Sequence, residues 1–354
     1  MREAFISREN LGKLIETWAR DKRVYVPVTF EIMNHQTTPD YELVRDKVPE
    51  KLELRGAAVA HPPKSFIFYP REVVSTYPSA AAEAEVEAPP TVIVGPRGCD
   101  LRGLRKFDKV YWSTKHHTEE YDDPFIIEKR KNTFIVSCDC TAAKETCFCT
   151  MVGGEPYPKE GFDLNLAPVE GGYLVTVGTE KGEKLLAGVD ALTRPPTREH
   201  LDERGRNRNS VTEAVNRQNA DFRGGTPYDK HHIEATRGAW AYVTQNCVAC
   251  GACNRTCPSC TCFLLVDQSA DGKYERIRDW DTCLSIGFGR TAGGNSRPNL
   301  PERLENRIRC KFEYSRDRYG LVTCTGCGRC IDVCMGRIDM RDALKHVVTE
   351  KANA

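Results

Sequence analysis

The chain has 354 residues, a length typical of two domains, and its 40% hydrophobic and 29% charged residues allow a buried core and exclude wholesale disorder. Its 51 basic and 50 acidic residues nearly cancel, which argues against a nucleic-acid-binding protein. The sequence lacks the run of about 18 apolar residues that a membrane span needs, and its charged, amphipathic start lacks the apolar region of a secretory signal. We therefore expect a cytoplasmic protein with no membrane span.

Residues 1–195 combine helix and strand patterns. An amphipathic helix is predicted over about Ser7 to Asp21, followed by the β-like runs VYVPVTF and SFIFYP. TVIVG and NTFIVSC have the pattern of buried strands, and GYLVTVGTEKGEKLLAGV indicates a strand, a turn and a helix. Strands that alternate with helices favour an α/β domain over residues 1–195.

The rest of the chain differs in composition. Residues 196–235 are highly charged and poor in large apolar residues, so we expect a solvated, partly helical linker; acidic residues interrupt its Arg run, which argues against a nucleic-acid-binding arm. Residues 236–354 are rich in cysteine and helical in pattern, and end in a short helix near residues 339–351. No G-x-G-x-x-G follows a strand, so the sequence predicts no Rossmann dinucleotide site.

Cysteine is the outlier of the composition, with 17 residues, none before Cys99 and twelve from Cys247 onward. In a reducing compartment such clusters are better candidates for metal ligands than for disulfides. Residues 247–258, CVACGACNRTCP, have the spacing C-x2-C-x2-C-x3-C-P, and residues 324–334, CTGCGRCIDVC, repeat it with Met335 in place of the proline. Two such runs are typical of domains that bind two [4Fe-4S] clusters.

In a pair of these runs, the fourth cysteine of each run ligates the cluster of the other. The predicted ligands are Cys247, Cys250, Cys253 and Cys334 for the first cluster, and Cys324, Cys327, Cys330 and Cys257 for the second. The alternative is zinc, although two runs of four cysteines oversupply one tetrahedral site. The runs lie 67 positions apart, and DWDTCLSIGFGR and PERLENRIRCKFEY between them have helical spacing. We therefore expect a mainly α-helical ferredoxin domain.

Five further cysteines lie between residues 99 and 149, after two predicted strands. Because neighbouring strand ends can meet at one edge of an α/β sheet, Cys99, Cys140, Cys147 and Cys149 could hold a third [4Fe-4S] cluster. Cys138 lies on the same strand face as Cys140, so either could be the ligand. Buried structural thiols and a zinc site are the alternatives.

Five cysteines have no predicted cluster, namely Cys138, Cys260, Cys262, Cys283 and Cys310. We expect them to be small buried residues. Cys260 and Cys262 lie beside predicted ligands, so they could instead pack against a cluster or ligate it in one redox state. Near Cys99, the side chains of Arg97 and Asp100 could support a cluster from outside its ligand shell or form a structural ion pair.

The chain resembles the iron–sulfur β subunit of cytoplasmic sulfhydrogenases, which are NAD(P)-linked nickel–iron hydrogenases, and equally the A subunit of anaerobic sulfite reductase. The matching segments are PPKSFIFYPRE, GPRGCDLRGL, DCTAAKETCFCT, CVACGACNRTCPSCTCF, DWDTCLSIGFGRTAGG and RYGLVTCTGCGRC. They cover most of the chain from about residue 60, and the first Cys motif with the Cys-Phe-Cys element is the most family-specific part. Asp139, Met335 and the charged insert at 204–219 depart from the family pattern without removing a ligand, and leave the subgroup open.

The resemblance implies an electron-transfer subunit without catalytic residues of its own. Its partners would be a flavoprotein that binds NAD(P)H and a catalytic subunit of hydrogenase or sulfite reductase type, and the resemblance also favours the third cluster. Other functions are a subunit with a catalytic cluster that reduces a sulfur substrate, a subunit of a heterodisulfide-reductase-linked flavin oxidoreductase, and a zinc-holding scaffold.

Overall fold

The computed structural model describes residues 2–31, 37–77, 86–112, 122–222, 233, 235–270 and 272–349. Its strands are β1 (Glu3–Ser7), β2 (Arg23–Glu31), β3 (Thr37–Val44), β4 (Arg71–Tyr77), β5 (Thr91–Val94), β6 (Thr133–Cys138), β7 (Leu164–Val169), β8 (Gly172–Val177), β9 (Thr193–Arg194), β10 (Phe263–Ala270), β11 (Lys273–Trp280), β12 (Arg290–Thr291) and β13 (Gly294–Asn295). Its helices are α1 (Arg8–Trp18), α2 (Gly98–Tyr111), α3 (Pro124–Asn132), α4 (Glu180–Leu186), α5 (Arg198–Gln218), α6 (Arg237–Thr244), α7 (Ala252–Arg255), α8 (Leu300–Arg309), α9 (Ser315–Tyr319), α10 (Arg329–Asp332) and α11 (Met340–Thr349).

An eight-stranded mixed sheet forms the N-terminal part, in the order β3-β2-β5-β6-β7-β8-β1-β9. Strands β2, β5, β6 and β7 run parallel as neighbours, and the remaining pairs are antiparallel. Helix α1 begins where the Ser7 hydroxyl accepts a hydrogen bond from the Asn10 amide, and it buries its apolar side against one core. Helix α2 packs into a second core with β5 and β6. The prediction of an N-terminal α/β region is confirmed.

The SFIFYP run is not a strand, and that prediction is wrong. Residues Pro63–Phe66 form a 3-10 turn, and Phe68 packs against the rings of Phe107, Tyr111 and Trp280. The turn inserts Phe68 between α2 and the C-terminal region, whereas Phe66 packs against the rings of Tyr25 and Tyr41. The run is rich in aromatic residues because their rings are buried. Buried strands have a similar composition, which is why the sequence suggested a strand here.

The C-terminal part contains a long β-hairpin as well as helices. Strands β10 and β11 pair from Phe263 opposite Trp280 to the tip, and β4 adds to the other edge of β11. PERLENRIRCKFEY is helical as expected, but DWDTCLSIGFGR is not: it contains the end of β11 and the turns after it. In KYERIRDW the apolar residues Tyr274, Ile277 and Trp280 are three apart, so the segment lacks the two-residue period of a strand. Pairing with β10 and β4, with a register shift between Arg276 and Ile277, makes it one.

The described part of the predicted linker 196–235 is mostly helix α5, whose Val211 and Val215 are buried. Residues 223–232 and 234 lie outside the described residues. The division of the chain at 195 and 235 stays a prediction. Within the described part of the chain, no helix combines the length and the hydropathy that crossing a bilayer would require.

Candidate iron–sulfur sites

All 17 cysteines lie among the described residues, and every one has a free thiol. Three groups correspond to the predicted ligand sets. Among the described residues, no three metal-binding side chains converge on a point where a single ion would bind. Two of the cysteine sets instead line the walls of pockets.

The four cysteines predicted for the first cluster line one pocket of about 510 Å³, counted with its open mouth. They are Cys247, Cys250, Cys253 and Cys334. Apolar side chains, including Leu284, Leu304 and Met340, form much of the remaining wall. Gly251 lies between two of the cysteines at φ 72°, where a Cβ atom would come within 2.6 Å of the Thr282 side chain. This tight, left-handed turn lets the C-x2-C-x2-C segment curl around the space.

Of the four cysteines predicted for the second cluster, Cys257 and Cys324 are buried and Cys327 and Cys330 are partly buried. Burial raises the pKa of Cys330, and the nearby thiols of Cys327, Cys324 and Cys257 raise it further. The pKa of Cys257 is instead held well below its usual value, because Cys260 donates a hydrogen bond to it and Lys311 lies beside it. The Lys311 ammonium donates to the Cys257 sulfur at 3.0 Å. A thiolate is the form that binds metal.

The upstream set forms where two parallel strands end. Strands β5 and β6 are neighbours, and the Gly95 amide donates to the Val136 carbonyl at 2.7 Å, so the segments that follow them meet at one edge of the sheet. A pocket of about 360 Å³ lies there, counted with its mouth. Its walls include the four predicted ligands, Cys99, Cys140, Cys147 and Cys149.

The structure distinguishes between Cys138 and Cys140, which sequence reasoning left open. Cys140 lines the upstream pocket. Cys138 is fully buried in the core of the sheet, and its thiol donates to the Leu54 carbonyl at 3.3 Å. The two differ because β6 ends at Cys138, so the chain has left the strand before it reaches Cys140.

Burial dominates the electrostatics of the upstream set. It raises the pKa of Cys99 well above its usual value, with a contribution from Asp100, and it raises the pKa of Cys149 to about 12. Thiols in this state become ligands only when a cation replaces their protons. The carboxylate of Glu155 also lines the pocket, but the four cysteines supply the soft sulfur donors that suit iron in a cluster, so these residues fit a cubane.

The three sets are neighbours. Gly326 and Cys327, from the second run, line the upstream pocket, while Cys330 lines the pocket of the first set. A Cβ atom on Gly326, whose φ is 65°, would lie 2.5 Å from the backbone nitrogen of Cys149. The second run therefore lies between the other two sets, in direct backbone contact with the upstream loop.

Arg97 and Asp100 are both buried, but they do not pair through their side chains. The Arg97 guanidinium donates to the carbonyls of Asp139 at 2.5 Å and Leu54 at 2.9 Å. Asp100 accepts from the Arg97 backbone amide at 3.0 Å and from the Arg329 guanidinium at 2.6 Å. The structural ion pair is thus between Asp100 and Arg329, and it links the start of α2 to the second cysteine run.

Helix α5 supplies residues to the upstream site that sequence reasoning missed. Val211 and Val215 line the pocket, and Arg208 holds the carboxylate of Asp139 with two hydrogen bonds, at 2.7 and 3.2 Å. At the end of the helix, Asn219 donates to the Cys147 carbonyl at 2.8 Å. The signal was the spacing of four between the two valines, which places them on one side of a helix.

Comparison with known proteins identifies the C-terminal domain and the family of the chain. The family model of the 4Fe-4S dicluster domain matches residues 246–338. The sulfhydrogenase 2 subunit beta of Pyrococcus furiosus is 30% identical over 333 residues, which cover 92% of each chain. Both 4Fe-4S binding and the resemblance inferred from the sequence are confirmed at this level. The chain belongs to the family of the sulfhydrogenase β subunits.

Proposed function

We propose that this chain is the electron-transfer subunit of a multi-subunit oxidoreductase. It would hold three [4Fe-4S] clusters and relay single electrons between a subunit that binds flavin and NAD(P)H and a catalytic subunit of hydrogenase or sulfur-reductase type. The name of the Pyrococcus furiosus relative, a subunit of a sulfhydrogenase, supports an assembly with partner subunits. A [4Fe-4S] cubane supplies one-electron redox chemistry.

The observation that carries the proposal is the contact between the three cysteine sets. Cys327 lines the upstream pocket and Cys330 lines the first pocket, although both belong to the second run. Cys327 and Cys330 are only three positions apart, so one short segment of the second run borders both the upstream pocket and the first pocket. A continuous series of closely spaced sites is what an electron relay needs, whereas a single catalytic cluster needs only one.

The protein around the sites excludes water and supplies positive charge. Arg307 and Arg329 are each 2% exposed, and Lys311 is 4% exposed. Burying a cation is costly unless negative charge compensates it. Burial lowers the pKa of all three groups, but nearby cysteine sulfurs and, for Arg329, the carboxylate of Asp100 raise each pKa well above its usual value. These cations favour the more reduced, more negative state of a nearby group.

The first set reaches the surface. Cys250 is exposed, and its neighbours Val248 and Met335 are 65% and 78% exposed. Met335 directly follows Cys334, and Val248 directly follows Cys247, so both apolar side chains lie beside first-set cysteines. We infer that a partner subunit docks here and exchanges electrons with the first site.

The test is to purify the chain with its native partners under anoxic conditions, through an affinity tag, and to identify the subunits by mass spectrometry. We expect a flavin-containing subunit and a catalytic subunit. Adding NADH or NADPH should then produce the EPR signals of reduced clusters in the complex, and not in the isolated chain.

A variant at the exposed residue Met335 tests the inferred docking surface. Met335→Glu should keep the iron content and slow reduction of the clusters in the complex, because the charge lies at the inferred docking surface. An isolated chain that itself reduces sulfite or polysulfide, with a reduced dye as electron donor, at the rate of the complex would overturn the relay proposal in favour of a catalytic cluster.

A further inference from the structure

Four of the five cysteines left without a cluster meet at the base of the β10–β11 hairpin. Cys260 and Cys262 precede β10, and Cys283 follows β11, so the pairing of Phe263 with Trp280 brings the two segments side by side. The Asp281 amide donates to the Cys262 carbonyl at 3.1 Å. The register therefore places Cys283 across the base of the hairpin from Cys262.

Helix α8 brings the fourth cysteine to the same place. Arg303 of α8 donates to the Leu284 carbonyl at 2.9 Å, which anchors the helix against the turn that carries Cys283. After α8 the chain forms one π-helical turn, Cys310–Tyr314. Cys310 directly precedes Lys311, whose ammonium donates to the sulfur of Cys260 at 3.4 Å. Single π-turns frequently mark functional positions in helices, because they redirect the side chains that follow.

Buried cations surround this group. Lys311 donates to the sulfur of Cys260 at 3.4 Å, and Lys64, 2% exposed, donates to the Cys260 carbonyl at 3.0 Å. Arg307 is held by the side-chain oxygen of Asn254 at 2.8 Å, and the same amide donates to the sulfur of Cys283 at 3.3 Å. The contacts of these three cations are thus with carbonyl, amide and hydroxyl oxygens, with cysteine sulfur and, for Lys64, with the ring of Trp280. Buried positive charge of this kind is stabilised by negative charge nearby, which a cluster bound to these cysteines would supply.

We propose that Cys260, Cys262, Cys283 and Cys310 hold a fourth [4Fe-4S] cluster. The four sulfurs come from three separate segments, and the cations would compensate the net negative charge of the cluster. Cys138 is then the single cysteine outside a cluster, and it already donates to the Leu54 carbonyl within the sheet core. The expectation that Cys260, Cys262, Cys283 and Cys310 are only small buried residues would then be wrong.

The fourth site adjoins the second set. The ammonium of Lys311 lies 3.0 Å from the sulfur of Cys257 and 3.4 Å from that of Cys260, so one side chain touches both groups. The relay would therefore branch at the second set, with one arm leading to the hairpin. These four cysteines could bind a cluster whether or not the protein acts as an electron relay.

The test is a count of iron and acid-labile sulfide on the full chain, purified anoxically or reconstituted with ferrous iron and sulfide. Four cubanes predict about 16 iron atoms per chain and three predict about 12. The double variant Cys262→Ser/Cys310→Ser removes two ligands of the fourth site alone, and should lose about 4 irons. Cys138→Ser is the matched control and should lose none.

The variants also separate this proposal from the others. A double variant that loses no iron while Cys147→Ser still loses about 4 would overturn the fourth cluster and leave the upstream one in place. A wild-type chain with stoichiometric zinc and about 12 irons, whose zinc disappears in the double variant, would overturn it in favour of a zinc site. If the double variant does not fold, about 16 irons and matching sulfide in the wild-type chain support the fourth cluster, and about 12 overturn it.

Discussion

The backbone amide of Phe148 donates a hydrogen bond to the carbonyl oxygen of Gly326 at 2.8 Å, and this bond joins two cysteine motifs that lie far apart in the sequence. Phe148 is the central residue of the Cys-Phe-Cys element, and Gly326 lies within the second ferredoxin-type run. Because Gly326 has no side chain, the two backbones come into contact. The upstream set and the second set are consequently held as one unit.

This contact predicts a large effect of Gly326→Ala. The new Cβ atom would lie 2.5 Å from both the nitrogen and the Cα of Cys149, and the left-handed φ of 65° adds strain. We expect the loss of iron from both adjoining sites, about 8 atoms per chain. Gly320→Ala is the matched control: its φ is 67° and nothing lies within 4 Å of the new atom, so it should cost about 1–2 kcal/mol and keep its iron. Equal iron content in the two variants would contradict the close contact.

Cys147→Ser tests the upstream site by itself. Its side chain lines the upstream pocket and no other that holds a predicted set, so one cluster of about 4 irons should be lost. The EPR signals of the two ferredoxin-type clusters, recorded after reduction with dithionite, should persist. Disappearance of all signals would show that the sites do not assemble independently.

Cross-ligation predicts a pattern in double variants. Cys334→Ser and Cys250→Ser should each remove the first cluster, so combining them should cost no more iron than either alone, about 4 atoms. Combining Cys334→Ser with Cys327→Ser should remove two clusters and about 8 irons. The reverse pattern, measured by iron assay and Mössbauer spectroscopy, would assign Cys334 to the second cluster.

The ion pair between Asp100 and Arg329 predicts a stability effect. Their side chains are 1% and 2% exposed, so Asp100→Asn leaves the Arg329 cation buried without its counter-charge. We expect a loss of about 3–5 kcal/mol in the free energy of unfolding, measured by denaturant titration at matched iron content. Glu9→Gln, which removes a solvent-exposed ion pair with Lys13, should leave the denaturation midpoint unchanged. A loss equally small in Asp100→Asn would argue that another group compensates Arg329.

Local spacing explains how much of the site the sequence predicts. A C-x2-C-x2-C segment must curl around one centre, so Cys247, Cys250 and Cys253 could be grouped without a structure, although their ligation stays a prediction. Cys283 and Cys310 carry no such signal, because they reach Cys262 only through the register of a hairpin and the packing of α8. Distances that arise from tertiary packing have no counterpart in the spacing of residues along the chain.

The same reasoning applies to the fold. Alternating strand and helix patterns were enough to identify β5, β6 and β8, since their side chains are buried on both faces. Helix α5 looked like a solvated linker because only Val211 and Val215 are buried along its 21 residues. Helix α5 packs where it covers the upstream pocket. The residue pattern of α5 alone does not show which part of the chain it will pack against.

Strand β4 has a consequence for anyone who wishes to reduce this protein to a minimal electron carrier. It comes from residues 71–77, yet it completes the sheet of a hairpin that begins some 190 positions later, and Glu72 on it accepts a hydrogen bond from the buried guanidinium of Arg278. A fragment cut out from residue 236 onward would leave β11 with a bare edge and Arg278 without that carboxylate. Bare strand edges template the addition of other chains. The isolated C-terminal part would therefore need another strand in place of the seven residues of β4 before it could be expected to stay soluble on its own.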